Sequence, residues 1–310
     1  MHKVSFMPGM LELLKGLIEL MRPAEWSKSL ANMIVAFVFA GFMYGAKFDA
    51  FVFATGAASV FLLWSGLYTL NDYTDRHEDA LHPLKKRRAI PSGRVPAKLA
   101  LVFSLALILL SFLIAFNLNR LLVLCLCAML MNQILYTLKP FNFKKRPVVD
   151  LISGSLVNPL FRFYSGWVLF VPEFNAPILA LVMILGLQLG GYGIYRMISG
   201  DFEKSRGYGS SIVFFGPKIK YIFYASILLG ISAYFFACLN SMLKIPGIGF
   251  LPLRYLWLAL LSIPLVPLYL PIIANPNKVN TTNVYRFIYA LLYLHTFVFF
   301  LLFFLLYVLF

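Results

Sequence analysis

The sequence predicts an all-α integral membrane protein, a bundle of about nine transmembrane helices carrying a cytoplasmic cap. Three observations predict it. Of 310 residues, 61% are hydrophobic and the mean hydropathy is +0.83, whereas soluble domains are roughly half apolar. Apolar runs of about 20 residues, the length that crosses a bilayer, recur from end to end. The cations are also distributed by side. With the N-terminus placed inside, 22 of the 27 Lys and Arg fall on the cytoplasmic side and four on the other, and Arg162 lies mid-span. By the positive-inside rule the N-terminus is cytoplasmic, the C-terminus outside, and the number of spans odd. The net charge of +15 is thus a sign of topology and not of a nucleic-acid partner.

The elements follow in order within a single domain, 1–310. Residues 10–23, MLELLKGLIELMRP, put Glu12, Lys15, Glu19 and Arg22 at spacings of three and four, with Leu and Ile on the other face. This predicts an amphipathic helix lying in the cytoplasmic interface, or one that packs on a soluble partner. Nine spans follow, at 29–46, 51–70, 97–116, 120–138, 149–171, 176–197, 219–239, 254–274 and 285–309. They lack the strict alternation of barrel strands and read as helices. The loops at 71–96 and 198–218 are long and charged and form the cap, whereas most outer loops are short. Cys125, Cys127 and Cys238 fall inside spans and read as small packing residues. Asp150 opens the fifth span beside the basic run 144–147, which predicts a salt bridge between them.

Chemistry is concentrated after the second span, in NDYTDRHEDALHPLKKRR, 71–88. Asp72, Asp75 and Asp79 stand at i, i+3 and i+7, so a continuing helix turns all three to one side, with Asn71 beside them. Carboxylates about 5–6 Å apart repel by roughly 3 kcal/mol at an effective dielectric of 20, so counter-charge is required. The protein's own Arg76, Lys85 and Lys86 could supply it at a solvated helix end. A bound cation is the other source, and oxygen-only ligands suit Mg²⁺ or Mn²⁺. LKKRRAIPSGR, 84–94, adds five cations close by. Metal on some oxygens and cations on the others is what a diphosphate needs.

These residues resemble the UbiA superfamily of intramembrane prenyltransferases. Asn71 to Asp79 matches that family's NDxxDxxxD pattern at the end of the second helix. The resemblance implies a nine-helix UbiA-like fold, Mg²⁺ as cofactor, and a diphosphate-bearing donor used with an isoprenoid lipid. MRPAEWSKS, 21–29, with Lys28, and HPLKKRRAIPSG, 82–93, with Lys86, Arg87 and Arg88, resemble motifs of the polyprenyl-phosphate (decaprenyl-phosphate) phosphoribosyltransferase branch. LYTLK, with Tyr136 and Lys139, matches a Tyr–Lys pair found broadly in the superfamily. Arg162 resembles an intramembrane Arg of the fifth helix. The second acidic motif, DxxDxxGD, is broken: RMISGDFEKSRGYGS, 196–210, places Arg196 and Ser199 at its first two Asp positions and Glu203 at the last, with Asp201 acidic but out of register.

The resemblance implies Mg²⁺-dependent group transfer at the cytoplasmic face. Asp72, Asp75 and Asp79 are its expected metal ligands, with Asn71. Lys86, Arg87 or Arg88 is expected on the leaving group, and Lys139 and Arg196 on an acceptor phosphate, while Arg162 either has a structural partner within the bundle or binds an acceptor phosphate or a substrate hydroxyl. Lys28, Tyr136, Asp201 and Glu203 are further substrate-binding candidates. Phosphoribosyl transfer from phosphoribosyl pyrophosphate to a polyprenyl phosphate is the first expectation. Prenyl transfer to an aromatic or glycerol-phosphate acceptor is the second. A transporter of anionic lipids or sugars is a third, but it leaves the aligned carboxylates unexplained, and no inverted repeat of broken segments is apparent in the sequence.

Overall fold

The computed structural model describes residues 9–81, 85–197, 200–274 and 283–309. Among these residues all regular structure is helical. The amphipathic α1 (Met10–Met21) leads through a short 3₁₀ turn into α2 (Trp26–Tyr44). Then come α3 (Ala50–Ala80), α4 (Ala97–Leu118) and α5 (Arg120–Thr137). Six segments are long and apolar enough to cross a membrane: Met10–Tyr44, Ala50–Ala80, Ala97–Leu118, Arg120–Thr137, Ile178–Met197 and Ser211–Leu243.

The remaining expected spans are built differently. The fifth divides into α6 (Val149–Leu151), a π-helical turn (Ile152–Val157) and α7 (Asn158–Trp167). Beyond it lie α8 (Ile178–Met197), the short cap helices α9 (Gly200–Ser205) and α10 (Ser211–Phe215), and α11 (Lys220–Leu243). The eighth span is interrupted at Ile263–Leu265, between α12 (Leu256–Ser262) and α13 (Val266–Ala274), where Pro264 and Pro267 remove helical N–H donors. The chain closes with α14 (Asn283–Val308). Two segments expected as single helices are therefore broken. The fifth has a physical cause that hydropathy does not register. The buried Asn132 amide donates to the Ser153 carbonyl at 2.9 Å and to Asn158 Oδ1 at 2.7 Å, and Ser153 Oγ donates back to Asn132 Oδ1 at 2.8 Å. The Asn132 side chain supplies polar partners across the widened turn, as helices distorted in this way require.

Packing depends on small residues at the helix crossings, since lipid supplies little hydrophobic drive between helices. A Cβ on Gly166 would lie 2.5 Å from Met33 Cα, so α7 rests directly on the backbone of α2. One on Gly190 would lie 2.7 Å from the Phe223 carbonyl, which sets α8 against α11. α4 shows the resulting inside-out pattern. Its buried face is Ala100, Ser104, Leu107, Ser111 and Ala115, while Val102, Leu105, Leu109 and Leu113 are exposed, as lipid-facing residues are. At the end where α3 begins, rings of α2, α3 and α14 close the bundle around Phe37, which lies 6.4 Å from Phe53 and 5.0 Å from Tyr307.

α3 positions the site. Its 31 residues span roughly 46 Å at 1.5 Å per residue, against about 30 Å of hydrocarbon. Asp49 caps its start by accepting from Val52 N at 3.0 Å, so the surplus length emerges at the other end, where Asn71–Ala80 remain helical. α1 lies across this end. Leu20 and its neighbours Leu13 and Leu17 pack on Ala89, Ile90, Val95 and Ala100, while Leu11, Leu14 and Ile18 stay exposed, as an interfacial helix requires.

The turn at Ser92 and the segment at Asn175 are both exposed and are separated by three of the expected spans. In a background lacking Cys125, Cys127 and Cys238, Ser92→Cys is expected to label with an impermeant thiol reagent only from the cytoplasmic side. Asn175→Cys is expected to label only from the other side. The reverse pattern would overturn the orientation drawn from the cations.

Candidate active site

At the end of α3 the carboxylates and cations are interleaved. Asp72 Oδ1 receives Arg22 Nη2 at 2.5 Å and Arg88 Nη1 at 3.0 Å. The same Arg88 nitrogen reaches Asp79 Oδ2 at 2.8 Å, and Lys85 Nζ stands 3.8 Å from Asp79 Oδ1. Asp72 and Asp79, two helical turns apart, are thus joined by one guanidinium. Asp75 turns instead to Lys144, 2.5 Å away. Glu78 pairs with Lys145 at 2.8 Å and accepts from the Tyr208 hydroxyl. Burial, followed by that carboxylate, holds the Tyr208 phenol above the ordinary tyrosine range. Glu78, Lys145, Arg206 and Tyr208 line a polar cleft of about 210 Å³ beside Asp75.

Each cation is delivered by a local structure. Arg22 is the left-handed C-cap of α1 (φ 50), and α1 is seated by Ser65 Oγ on the Met21 carbonyl at 3.1 Å and Thr69 Oγ1 on the Leu20 carbonyl at 3.3 Å. Arg88 lies on the turn after α3, and Lys144 and Lys145 on a 3₁₀ turn after α5. Asn71 is aligned from both sides: Thr137 Oγ1 donates to its amide oxygen at 3.3 Å, and its nitrogen donates to Asp75 Oδ2 at 3.3 Å. Deeper in the bundle the buried Arg162 lies over the Trp64 ring at 3.8 Å, and its Nη2 is 3.4 Å from the Tyr68 hydroxyl. The Tyr68 ring in turn carries Arg22 at 5.1 Å, which links Arg162 to the carboxylate end.

A second charged cluster lies beneath the cap. Arg196 Nη1 donates to Asp150 Oδ2 at 2.6 Å, and Nη2 to Glu203 Oε1 and Oε2 at 3.2 and 3.1 Å. The Ser211 hydroxyl donates to Asp150 Oδ1 and the Ser210 hydroxyl to Glu203 Oε2. The Arg196 and Asp150 side chains are 8% and 0% exposed. The salt bridge expected between Asp150 and the run 144–147 is corrected here. Asp150 faces α8 from the first turn of α6, while Lys144 and Lys145 reach sideways to α3. Arg196, an expected phosphate ligand, is closed between two carboxylates.

Residues 32–291 match the model of the UbiA prenyltransferase family. The chain belongs to that family. It is 30% identical over 154 residues to a digeranylgeranylglyceryl phosphate synthase of Methanothrix thermoacetophila, covering 48% of this chain and 53% of the relative. It is 28% identical over 155 residues to a decaprenyl-phosphate phosphoribosyltransferase of Mycolicibacterium smegmatis, covering 48% and 47%. The chain spans about half the length of these curated relatives. A UbiA homolog from Archaeoglobus fulgidus bound to DMAPP and Mg²⁺ superposes with a TM-score of 0.65 at 20% identity, covering 92% of this chain and 98% of the other. That similarity shows the UbiA-like all-helical fold.

Within this UbiA frame the expected residues separate. Asn71, Asp72, Asp75, Asp79 and Arg88 come together. Lys86 and Arg87 are exposed on the turn beside them. Arg76, a candidate counter-charge, folds back onto the Tyr73 carbonyl at 2.7 Å. Lys28 pairs with Glu25, Lys139 is exposed beyond α5, and Asp201 is exposed on α9. Tyr136 lies beside Tyr192 next to Gly154 of the π turn. His82, Pro83, Leu84 and Ser199 lie outside the described residues. Arg22, Lys144, Lys145, Tyr208 and Asp150 were not singled out as site residues from the sequence. The usable signal for Lys144 and Lys145 was that their cations are grouped on the same side as the carboxylates.

Among the described residues no three Asp, Glu, His or Cys converge as a ready-made metal cage. Mg²⁺ does not need one, since it takes one or two carboxylates and completes its shell with water and substrate phosphate. The donors at the end of α3 are all hard oxygens, and their cationic partners Arg22, Lys85 and Arg88 are 28–41% exposed side chains of turns. That set fits Mg²⁺ with a diphosphate.

Removing one partner of a buried ion pair leaves the other uncompensated, at a cost of about 3–5 kcal/mol. Arg196→Ala is therefore expected to lower the thermal midpoint of the purified protein markedly. Asp201→Ala, at an exposed position, is expected to stay within about 0.5 kcal/mol of wild type. Comparison of the two melting curves checks this.

Proposed function

We propose that this UbiA-family protein is a Mg²⁺-dependent transferase at the cytoplasmic membrane face, moving a phosphoribosyl group from phosphoribosyl pyrophosphate to a polyprenyl phosphate. The observation that carries the metal–diphosphate reading is the composition of the α3 end. Four carboxylates, Asp72, Asp75, Glu78 and Asp79, are met by five cations, Arg22, Lys85, Arg88, Lys144 and Lys145. A cluster needing only neutralisation would not carry the surplus, nor Lys86 and Arg87 beside it. Three observations support the phosphoribosyl branch: the resemblance of 82–93 to a motif of that branch, the similarity of the chain to a decaprenyl-phosphate phosphoribosyltransferase, and a second acidic cluster closed on Arg196.

Asp72, Asp75 and Asp79, with Asn71, would hold the metal, which supplies charge stabilisation on the leaving diphosphate. Arg88 and Lys144 are placed to exchange their carboxylate partners for diphosphate oxygens as charge develops there. Departure of the diphosphate leaves a cation-like anomeric carbon, which an oxygen of the acceptor phosphate attacks. That oxygen is already ionised at neutral pH, so no general base is required. Arg162, buried beside Tyr68 and Trp64, would meet the acceptor phosphate or a substrate hydroxyl from within the bundle.

A second reading has its own support. Similarity to digeranylgeranylglyceryl phosphate synthases favours prenyl transfer from a prenyl diphosphate to a glycerol-phosphate acceptor. Purified protein incubated with Mg²⁺, polyprenyl phosphate and labelled phosphoribosyl pyrophosphate is expected to yield lipid-linked label. Efficient transfer from geranylgeranyl or a longer prenyl diphosphate, without ribose incorporation, would establish the second reading instead. In either assay Asp72→Ala and Asp75→Ala are expected to lower turnover at least about 100-fold while leaving the protein folded, since loss of a metal ligand removes several kcal/mol of transition-state stabilisation. Near wild-type turnover of both variants at saturating Mg²⁺ would falsify the metal assignment.

A further inference from the structure

We infer that Arg196 is the built-in cation of the second acidic cluster, so that Asp150 and Glu203 take no metal ion and this chain works with the metal held at the end of α3 alone. The inference extends the reading of the α3 end as a metal site, and the measurement below separates the two.

The argument is an accounting of carboxylate oxygens. Asp150 Oδ2 is taken by Arg196 Nη1 at 2.6 Å and the Ser211 backbone N–H at 3.1 Å. Asp150 Oδ1 is taken by the Ser211 hydroxyl and by Leu151 N at 2.9 Å. Glu203 Oε1 receives Arg196 Nη2 at 3.2 Å, while Oε2 receives the same nitrogen at 3.1 Å and the Ser210 hydroxyl. Every oxygen of both carboxylates is occupied by a donor from the protein itself. The guanidinium is the central charge, and four neutral donors offset what remains of the two negative charges. A divalent ion needs those same oxygens at about 2.0–2.1 Å and would have to displace a guanidinium that is 8% exposed.

The contrast with the α3 end is physical. There the cations come from turns and are partly exposed, so they can leave a carboxylate for a substrate oxygen. Here Arg196 is in the last turn of α8 and Asp150 in the first turn of α6, both fixed in helices that pack together around Leu151, Ile194 and Met197. An arginine cannot be deprotonated in a protein and cannot ligate a metal. Its charge is therefore permanent, and the cluster is independent of metal supply. Arg196 acts as a positioning residue: through Asp150 and the Ser210–Ser211 corner it ties the start of the fifth span to the cap.

The test counts Mn²⁺ bound to the detergent-solubilised full chain by electron paramagnetic resonance. Wild type is expected to bind one Mn²⁺ per chain and the Asp72→Ala/Asp75→Ala double variant none. Mn²⁺ retained by that double variant and lost when Glu203→Gln is added would overturn the inference. A wild type that binds no Mn²⁺ removes the metal reading of the α3 end but agrees with a second cluster that needs none. Arg196→Ala exposes two facing carboxylates and two hydroxyls and is expected to raise the count from one to two. A folded Arg196→Ala protein that still binds one would show that the guanidinium does not occupy a cation's place. Should that variant fail to fold, the double-variant count decides.

Discussion

The structure depends on a requirement of charge balance where a hydrophobic bundle meets water. Carboxylates on a helix emerging from lipid are close together and only partly hydrated, and roughly 3 kcal/mol of repulsion between neighbours at an effective dielectric of 20 has to be offset by cations from elsewhere in the chain. Asp72 draws in Arg22 from α1, Asp79 draws in Arg88 from the following turn, and Asp75 draws in Lys144 from the turn after α5. Each pairing fixes an element of the cap. The position of α1 across the bundle, the return of the chain toward α4, and the approach of α5 to α3 all follow from where these cations must go.

The same requirement explains the cap's second layer. Lys145 holds Glu78, and Tyr208 donates to that carboxylate from the segment that also carries Ser210 and Ser211. One short stretch thus touches both charge clusters, the open one at α3 and the sealed one around Arg196. The Asn132 clamp on the π turn fixes the segment that follows Asp150 in the fifth span. Polar side chains placed sparingly inside an apolar bundle therefore determine where the polar end can assemble.

Much of this was legible in the sequence, for reasons that can be located. The spans were visible because about 20 apolar residues are needed to cross lipid, and the observed helices begin and end close to the expected positions. The acidic face was visible because helical spacing maps i, i+3 and i+7 to one side. What was not legible is long-range pairing. Asp150 stands close to three basic residues in sequence, Lys144, Lys145 and Arg146, yet pairs with Arg196, because the helix start turns it the other way. Asp72, Asp75 and Asp79 share a side, yet Asp75 takes a different cation from its neighbours. The break in the fifth span was hidden because Ser153, Asn158 and their partner Asn132 read as ordinary polar residues in apolar runs.

α3 carries its acidic groups on the same uninterrupted helix that crosses the membrane, with a serine hydroxyl of α4 bound to the Gly66 carbonyl at 2.7 Å partway along. The anions are consequently set on a stiff rod and cannot rearrange one at a time. The basic residues sit on bends: a left-handed cap, a turn and a 3₁₀ segment. Opening and closing at this end is therefore a matter of the positive partners moving around a stationary negative ridge. Added electrolyte, which weakens such pairs where they meet solvent, would loosen the bends and leave the ridge standing.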